Sequence, residues 1–196
     1  MTTGRLEAFS DGVIAILITI MVLELRPPEH TTIGALQHLW PTFLSYILSF
    51  VIIGIYWNNH HHLLHATERV NGRVLWANMH LLFWLSLFPF GAAWMGEHKF
   101  DRVPAGAYGV IMLMAAIAYG ILVRVILSVP EQSRELVEAI GNDFKGLVSP
   151  VIYAISIGLA TISGWLAFGG YVLVAAIWFI PDRRIEHRPE ASSTSS

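Results

Sequence analysis

The residues best suited to chemistry form a small polar cluster at the start of the first apolar run. Arg5, Ser10 and Asp11 directly precede Gly12–Leu23, a stretch that contains no charged residue. Ionisable groups at membrane depth are costly and usually functional. A carboxylate near the hydrocarbon boundary also needs a partner. The candidate partners for Asp11 are Arg5, His60 and Asn78.

A simpler interpretation makes Ser10 and Asp11 the start of a helix. Serine and aspartate are good N-caps, and acidic side chains are favoured in the first turn by the positive end of the helix dipole. This interpretation explains neither Arg5 nor the polar residues of the later segments.

A second feature is a stripe along the apolar run itself. At about 100° per residue, Gly12, Ile16, Thr19 and Leu23 fall within about 60° of one another on a helical wheel. The polar pair before them points elsewhere. Ordinary helix packing explains such a stripe equally well, because a threonine in a membrane can bond to its own backbone.

Four histidines follow the second apolar run: His60, His61, His62 and His65. His61 and His65 are four residues apart and share a helix face, and imidazole is a common metal ligand. The next acidic residue is Glu68, however, and no H-E-x-x-H pattern is present. We therefore predict no metal site, but the sequence leaves open whether these residues extend a polar helix, sense pH or bind a metal.

Composition assigns the chain to the membrane. Of its 196 residues, 55% are hydrophobic and 13% charged, and the mean hydropathy is +0.57, far more apolar than a soluble domain. A net charge of −2 without a basic arm argues against nucleic-acid binding. The absence of cysteine excludes disulfides and thiolate chemistry. We expect an all-α, multi-pass protein that takes no cofactor.

Six segments approach the length of about 20 residues that a membrane-spanning helix needs. They lie at about 9–25, 36–60, 74–95, 104–129, 147–167 and 169–181, and the last is too short to span without help. We assign 1–185 to one six-helix domain and expect 186–196, which is rich in serine, to be a disordered cytoplasmic tail.

Basic residues decide the orientation, because cytoplasmic loops carry more of them. With the N-terminus inside, the outer set is Arg26, Lys99 and Arg102. The inner set has nine members: Arg5, Arg69, Arg73, Arg124, Arg134, Lys145, Arg183, Arg184 and Arg188. We therefore predict a protein of the cell membrane with both termini in the cytoplasm.

The motif R-x-x-x-F-S-D, formed by Arg5, Phe9, Ser10 and Asp11 and followed by G-V-I-A-I-L-I-T, resembles the signature of the transmembrane protein 175 family. That family comprises lysosomal potassium channels and their prokaryotic relatives. Further similarities follow in order: W-N-N-H-H from Trp57, Asn78, S-L-F-P-F from Ser86, and W-F-I-P-D-R-R from Trp178. The resemblance spans nearly the whole chain.

The resemblance implies a homotetramer of six-helix subunits in which the first helix of each subunit lines a central pore for potassium ions. It makes Ile16 the residue that closes the pore, with Leu23 a second constriction and Thr19 a contributor to ion selectivity. It also implies a structural hydrogen-bond network of the first three helices, formed by Arg5, Ser10, Asp11, His60 and Asn78. Since the motif occurs once, a pore on a central axis requires several chains.

Two other classes of function stay open beside a passive channel. A secondary transporter would use broken helices and an acidic site inside the membrane, but the central segments carry no acidic residue at depth. A metal-dependent membrane enzyme would need a nucleophile or a base with an oriented partner, and the sequence shows neither.

The T-V-G-Y-G filter of ordinary potassium channels is absent from the sequence. For a channel, we therefore expect modest selectivity for potassium over sodium.

Overall fold

The computed structural model describes residues 2–28, 30–129 and 144–179, which are helical apart from short connections. The helices are α1 (Thr3–Leu23), α2 (Ile33–Gln37), α3 (Trp40–His65), α4 (Gly72–Ser86), α5 (Phe88–Glu97), α6 (Arg102–Leu127), α7 (Phe144–Ala160) and α8 (Gly164–Phe179). The predicted tail 186–196 lies outside the described residues. So do four arginines counted for the orientation, Arg134, Arg183, Arg184 and Arg188.

Four stretches are long and apolar enough to cross a membrane: α1, α3, the pair α4 and α5 (Gly72–Glu97), and α6. Within the described residues, α7 and α8 are shorter apolar helices. The 16 residues of α8 cover about 24 Å, less than the roughly 30 Å of the hydrocarbon core. The all-helical, multi-pass character is therefore confirmed, and six crossings stay a prediction.

α1 begins almost two turns before the predicted start near Phe9. Its first residue is Thr3, so Ser10 and Asp11 lie inside the helix. Ser10 Oγ donates to the Leu6 carbonyl at 2.9 Å, a bond within the helix rather than a cap. The interpretation of Ser10 and Asp11 as a helix start is wrong, because neither residue lies at a helix terminus.

The predicted third segment, 74–95, is two helices that meet at Leu87. Pro89 has no N–H to donate, and its ring crowds the carbonyl four residues earlier, so regular α-helical bonding is interrupted here. The Leu87 N–H instead donates to the Trp84 carbonyl at 3.3 Å, one residue nearer than in an α-helix. The break leaves one long span with a bend near its middle.

The turn between the last two segments lies at 161–163, not near Phe168 as predicted. Gly169 and Gly170, at the predicted start of the sixth segment, both lie inside α8. A side chain at Gly170 would overlap Ser156 Oγ on α7. This glycine therefore permits close packing of α7 against α8 rather than ending a helix.

Contacts at the helix ends show that the main helices alternate in direction. Thr3 Oγ1 donates to the Glu68 carbonyl at 3.5 Å, so the start of α1 meets the α3–α4 connection; we call this the motif end. Opposite it, the Trp165 ring stacks on Trp40 at 5.2 Å and lies 4.2 Å from Phe100. The α7–α8 turn thus meets the start of α3 and the α5–α6 connection; we call this the aromatic end.

Buried tyrosines join the two halves of the chain. Tyr108 on α6 shares a hydrogen bond of 2.6 Å with Ser49 on α3 and packs edge-on against Phe88 at 5.7 Å. Tyr171 on α8 donates to the Ala105 carbonyl at 3.0 Å. Because a buried hydroxyl needs a partner, these bonds fix how α3, α6 and α8 lie against one another.

Candidate pore helix

α1 has one face buried against its own chain and one exposed. The buried face consists of Leu6, Ser10, Ile14, Leu17 and Met21. On the opposite face, Ile16 is 57% exposed and Leu23 is 74% exposed, and Gly12 and Thr19 are also exposed. The predicted stripe is thus left uncovered by the rest of the described chain, as the 3.6-residue repeat leads us to expect.

A buried polar triad attaches the inner face of α1 to two other helices. Asn78 on α4 donates through Nδ2 to Ser10 Oγ at 2.9 Å, and its Oδ1 lies 2.7 Å from Nε2 of His60 on α3. All three side chains are fully buried. Because an amide oxygen can only accept, His60 Nε2 carries the proton in this arrangement. One amide therefore connects α1, α3 and α4.

A second polar group lies beside the triad at the motif end and is partly exposed. Trp57 Nε1 donates to Asp11 Oδ1 at 3.1 Å. His61 Nδ1 lies 3.0 Å from Glu7 Oε1 and 3.8 Å from Asp11 Oδ2. Since Glu7 and Asp11 are four residues apart on one helix, their carboxylates repel each other unless a cationic group lies between them. The His61 ring lies next to both carboxylates.

The structure divides the predicted network of five residues. Ser10, His60 and Asn78 make the triad, but Asp11 contacts Trp57 and His61 instead of the partners we expected. A rotation of about 100° per residue turns Asp11 away from Ser10 and towards α3. Arg5 is exposed, and its side chain makes no hydrogen bond or ion pair within the described residues. Six positions separate it from Asp11, which puts the two on different faces of α1.

Thr19 bonds to its own backbone, as expected for helix packing, and still has an oxygen that can accept. Its hydroxyl donates to the Ile16 carbonyl at 2.9 Å, the backbone bond expected of a membrane threonine. This bond uses the hydroxyl proton and leaves the oxygen lone pairs free to accept. An oxygen of this kind can replace part of the water shell of a cation.

Reasoning from the sequence missed Glu7 as a neighbour of His61. Acidic partners for the histidines were sought after His65, whereas they lie more than 50 residues earlier in the chain, on α1. The four-residue spacing of Glu7 and Asp11 was a visible signal that two carboxylates share one helix face. The position of α3 beside that face was not visible.

Residues 5–89 match the family model described as the endosomal/lysosomal potassium channel TMEM175. A potassium channel of Chryseobacterium sp. (strain P1-3) is 52% identical over 186 residues, which cover 95% of this chain and 97% of the relative. The chain belongs to the TMEM175 family. This confirms the resemblance that the R-x-x-x-F-S-D motif indicated.

Another TMEM175 relative is a potassium channel of Chamaesiphon minutus, 36% identical over 191 residues and covering 90% of this chain and 93% of the relative. The fold is similar to the crystal structure of a lysosomal potassium-selective channel TMEM175 homolog from Chamaesiphon minutus. The TM-score is 0.81 at 33% identity, with 90% of this chain and 96% of that chain covered. The family match at 5–89 includes all three residues of the buried triad.

Proposed function

We propose that this chain is a potassium channel of the cell membrane, in which α1 of each of four identical subunits lines a central pore. The observation that carries the proposal is the division of α1 into two faces. One face is attached to the subunit through Ser10 and Asn78, and the other leaves Ile16, Thr19 and Leu23 uncovered. Relatives that match nearly the whole chain are potassium channels rather than enzymes.

Each residue of the exposed stripe has a distinct task in this proposal. Ile16 and Leu23 have no group that can coordinate an ion, so rings of four obstruct water and cations by narrowing and dewetting the pore. Thr19 lies between them and offers a hydroxyl oxygen to a partly dehydrated potassium ion. Ile16 and Leu23 are separated by about 10 Å along the helix, which makes the constriction short.

The remaining parts of the proposal concern the membrane. All six predicted segments cross the membrane, and both termini lie in the cytoplasm. The alternation of the motif end and the aromatic end supports an even number of crossings. A secondary transporter is disfavoured because, within the described residues, the acidic side chain deepest in a helix is Asp11, in the first half of α1, and the others lie nearer helix ends or in connections.

The experiment changes Ile16 and Thr19 separately in protein reconstituted into bilayers. Ile16→Asn should raise single-channel conductance and weaken discrimination, because four amides wet the narrowest point. Thr19→Val should lower the preference for potassium over sodium, measured by bi-ionic reversal potentials, without raising conductance. Native mass measurement of the same preparation should give a tetramer.

Two matched controls exist on α7 and its turn. Ile155 is 58% exposed, as Ile16 is, and Thr161 donates to its own backbone at Gly158 as Thr19 does at Ile16. Ile155→Asn and Thr161→Val should leave permeation unchanged. If Ile16→Asn and Thr19→Val behave as these controls do, the stripe faces lipid or protein and the pore assignment is wrong.

A further inference from the structure

We propose that Glu7, Asp11 and His61 form a binding site for a divalent transition-metal ion, with Zn²⁺ as the probe, that joins α1 to α3. The three side chains each offer one ligand atom, and these atoms lie within 4.8 Å of one another. Glu7 and Asp11 come from adjacent turns of α1, and His61 comes from the last turns of α3. A bound ion would therefore bridge two helices that are far apart in the sequence.

The distances fit a zinc site that needs little rearrangement. Zinc binds nitrogen and oxygen at about 2.0–2.2 Å, so two ligand atoms of a tetrahedral site are about 3.3 Å apart. His61 Nδ1 lies 3.0 Å from Glu7 Oε1 and 3.8 Å from Asp11 Oδ2, on either side of that value. The two carboxylate oxygens lie within 4.8 Å of each other, so they would have to approach by at most about 1.5 Å. Three protein ligands leave a fourth position for water.

The ligands are already oriented by their neighbours. Trp57 holds Asp11 Oδ1 at 3.1 Å and leaves Oδ2 facing His61. The His61 ring lies in a stack between Trp57 at 5.9 Å and His65 at 6.1 Å, measured between ring centres. Such supporting contacts around a metal site fix the orientation of its ligands and raise its affinity.

His61 Nδ1 is the ring atom placed to coordinate an ion. The atom is shielded from solvent and, among the described residues, has no hydrogen bond of good geometry although a carboxylate oxygen lies nearby. A neutral imidazole with an unprotonated Nδ1 would set a lone pair against two carboxylates. A metal ion bound to Nδ1 and to both carboxylates would use that lone pair and offset both negative charges.

The ligand types indicate the class of ion. Imidazole favours zinc and its transition-metal neighbours, while carboxylates alone would suit magnesium or calcium. One imidazole with two carboxylates should therefore bind Zn²⁺ well and Mg²⁺ weakly. If α1 lines the pore as proposed, the ion would hold the pore helix against α3, but the metal site itself does not depend on that function.

The test measures Zn²⁺ binding by calorimetry to the purified full-length protein in detergent, after treatment with a chelator. We expect one Zn²⁺ per chain in potassium buffer with excess Mg²⁺ present. Glu7→Gln should weaken binding at least tenfold. Glu7→His should restore it, because it returns a ligand atom without returning the negative charge. His62→Gln is the matched control on α3 and should bind as the parent does.

Two outcomes would overturn the site. If Glu7→Gln and His61→Gln both bind Zn²⁺ as tightly as the parent, the ion is held by other histidines. If Glu7→His binds no better than Glu7→Gln, Glu7 acts through its charge and not as a ligand. Thermal unfolding without metal provides the folding reference, and since no permeation is measured, this result is separate from the test of the pore.

Discussion

At Asn78, the two ends of one amide group serve two different helices. The nitrogen donates to Ser10 and the oxygen accepts from His60, at a position with no exposure to solvent. A buried polar atom that loses its partner costs more than the bond contributed, because water cannot replace the partner. The attachment of both α1 and α3 to α4 therefore depends on this one amide.

We predict that Asn78→Leu, which is similar in size but has no polar atoms, lowers the stability of the folded protein. His60 Nε2 loses its acceptor, whereas Ser10 Oγ loses one donor but keeps its bond to the Leu6 carbonyl. An unpaired buried donor costs about 1–3 kcal/mol, nearer the lower value inside a membrane. The measurement is the midpoint of thermal unfolding in detergent. Asn58→Leu, at an exposed position on α3, is the control and should change the midpoint little. Equal midpoints for both variants would show that the triad does not stabilise the protein.

The spacing of residues along α1 predicted its two faces but not every contact that its side chains make. The repeat of 3.6 residues was enough to separate Ile16, Thr19 and Leu23 from Ser10. Which side chain of α3 meets Asp11 depends on the rotation of α3 about its own axis. That rotation is set by packing along the entire helix, so a sequence pattern in α1 alone could not predict Trp57 and His61 as the partners.

At the scale of elements, close helix contacts depend on a few glycines. Gly164, the first residue of α8, lies directly against the carbonyl of Phe100. Phe100 has a φ of 60°, a left-handed conformation that is unusual for this residue, and its ring is buried against Trp165 and Phe168. The backbone of the α5–α6 connection is thus held in place by the α7–α8 turn.

We predict that Gly164→Ala destabilises the protein by about 1–3 kcal/mol, because the added methyl group meets backbone that is already constrained. Gly169→Ala, five residues along the same helix, meets no atom of the chain within 4 Å and should be neutral or slightly stabilising. Thermal unfolding of the two variants gives the comparison. If the Gly164→Ala protein is as stable as the Gly169→Ala protein, the contact between residue 164 and the Phe100 carbonyl relaxes at no cost in stability.

Helix ends were predictable where proline marks them and not where small polar residues do. Pro104 gave the start of α6 to within two residues. The α7–α8 turn at 161–163 has no proline. Of the two glycines at the predicted start of the sixth segment, Gly170 packs against α7, while Gly169 has no neighbouring atom within 4 Å. Glycine alone does not distinguish a turn from a close packing position, since both need the missing side chain.

At the scale of the whole molecule, the alternating helices give the protein two ends, and the basic residues predict which of them faces the cytoplasm. The chain has no cysteine, so a single introduced cysteine reports its own side of the membrane. Ala66 follows α3 at the motif end, and Val103 begins α6 at the aromatic end; both are exposed. The motif end holds Arg5, Arg69 and Arg73.

We predict that Val103→Cys is labelled by a membrane-impermeant maleimide on intact cells, whereas Ala66→Cys is labelled only after the cells are opened. The positive charge at the motif end keeps that end in the cytoplasm. Each variant is the accessibility control for the other, because both positions must react in detergent. Labelling of Ala66→Cys on intact cells would show that the protein has the opposite orientation.

The polar contacts of α1 with other helices are all near one end of it. Within the described residues, no side chain of α1 beyond Asp11 makes a hydrogen bond or ion pair with another helix. Ile16 is about 7.5 Å and Leu23 about 18 Å along the axis from Asp11. A tilt of about 10° around Asp11 would move Ile16 by roughly 1.3 Å and Leu23 by roughly 3 Å. A rigid tilt of α1 about this polar attachment would therefore carry its far tip more than twice as far as Ile16.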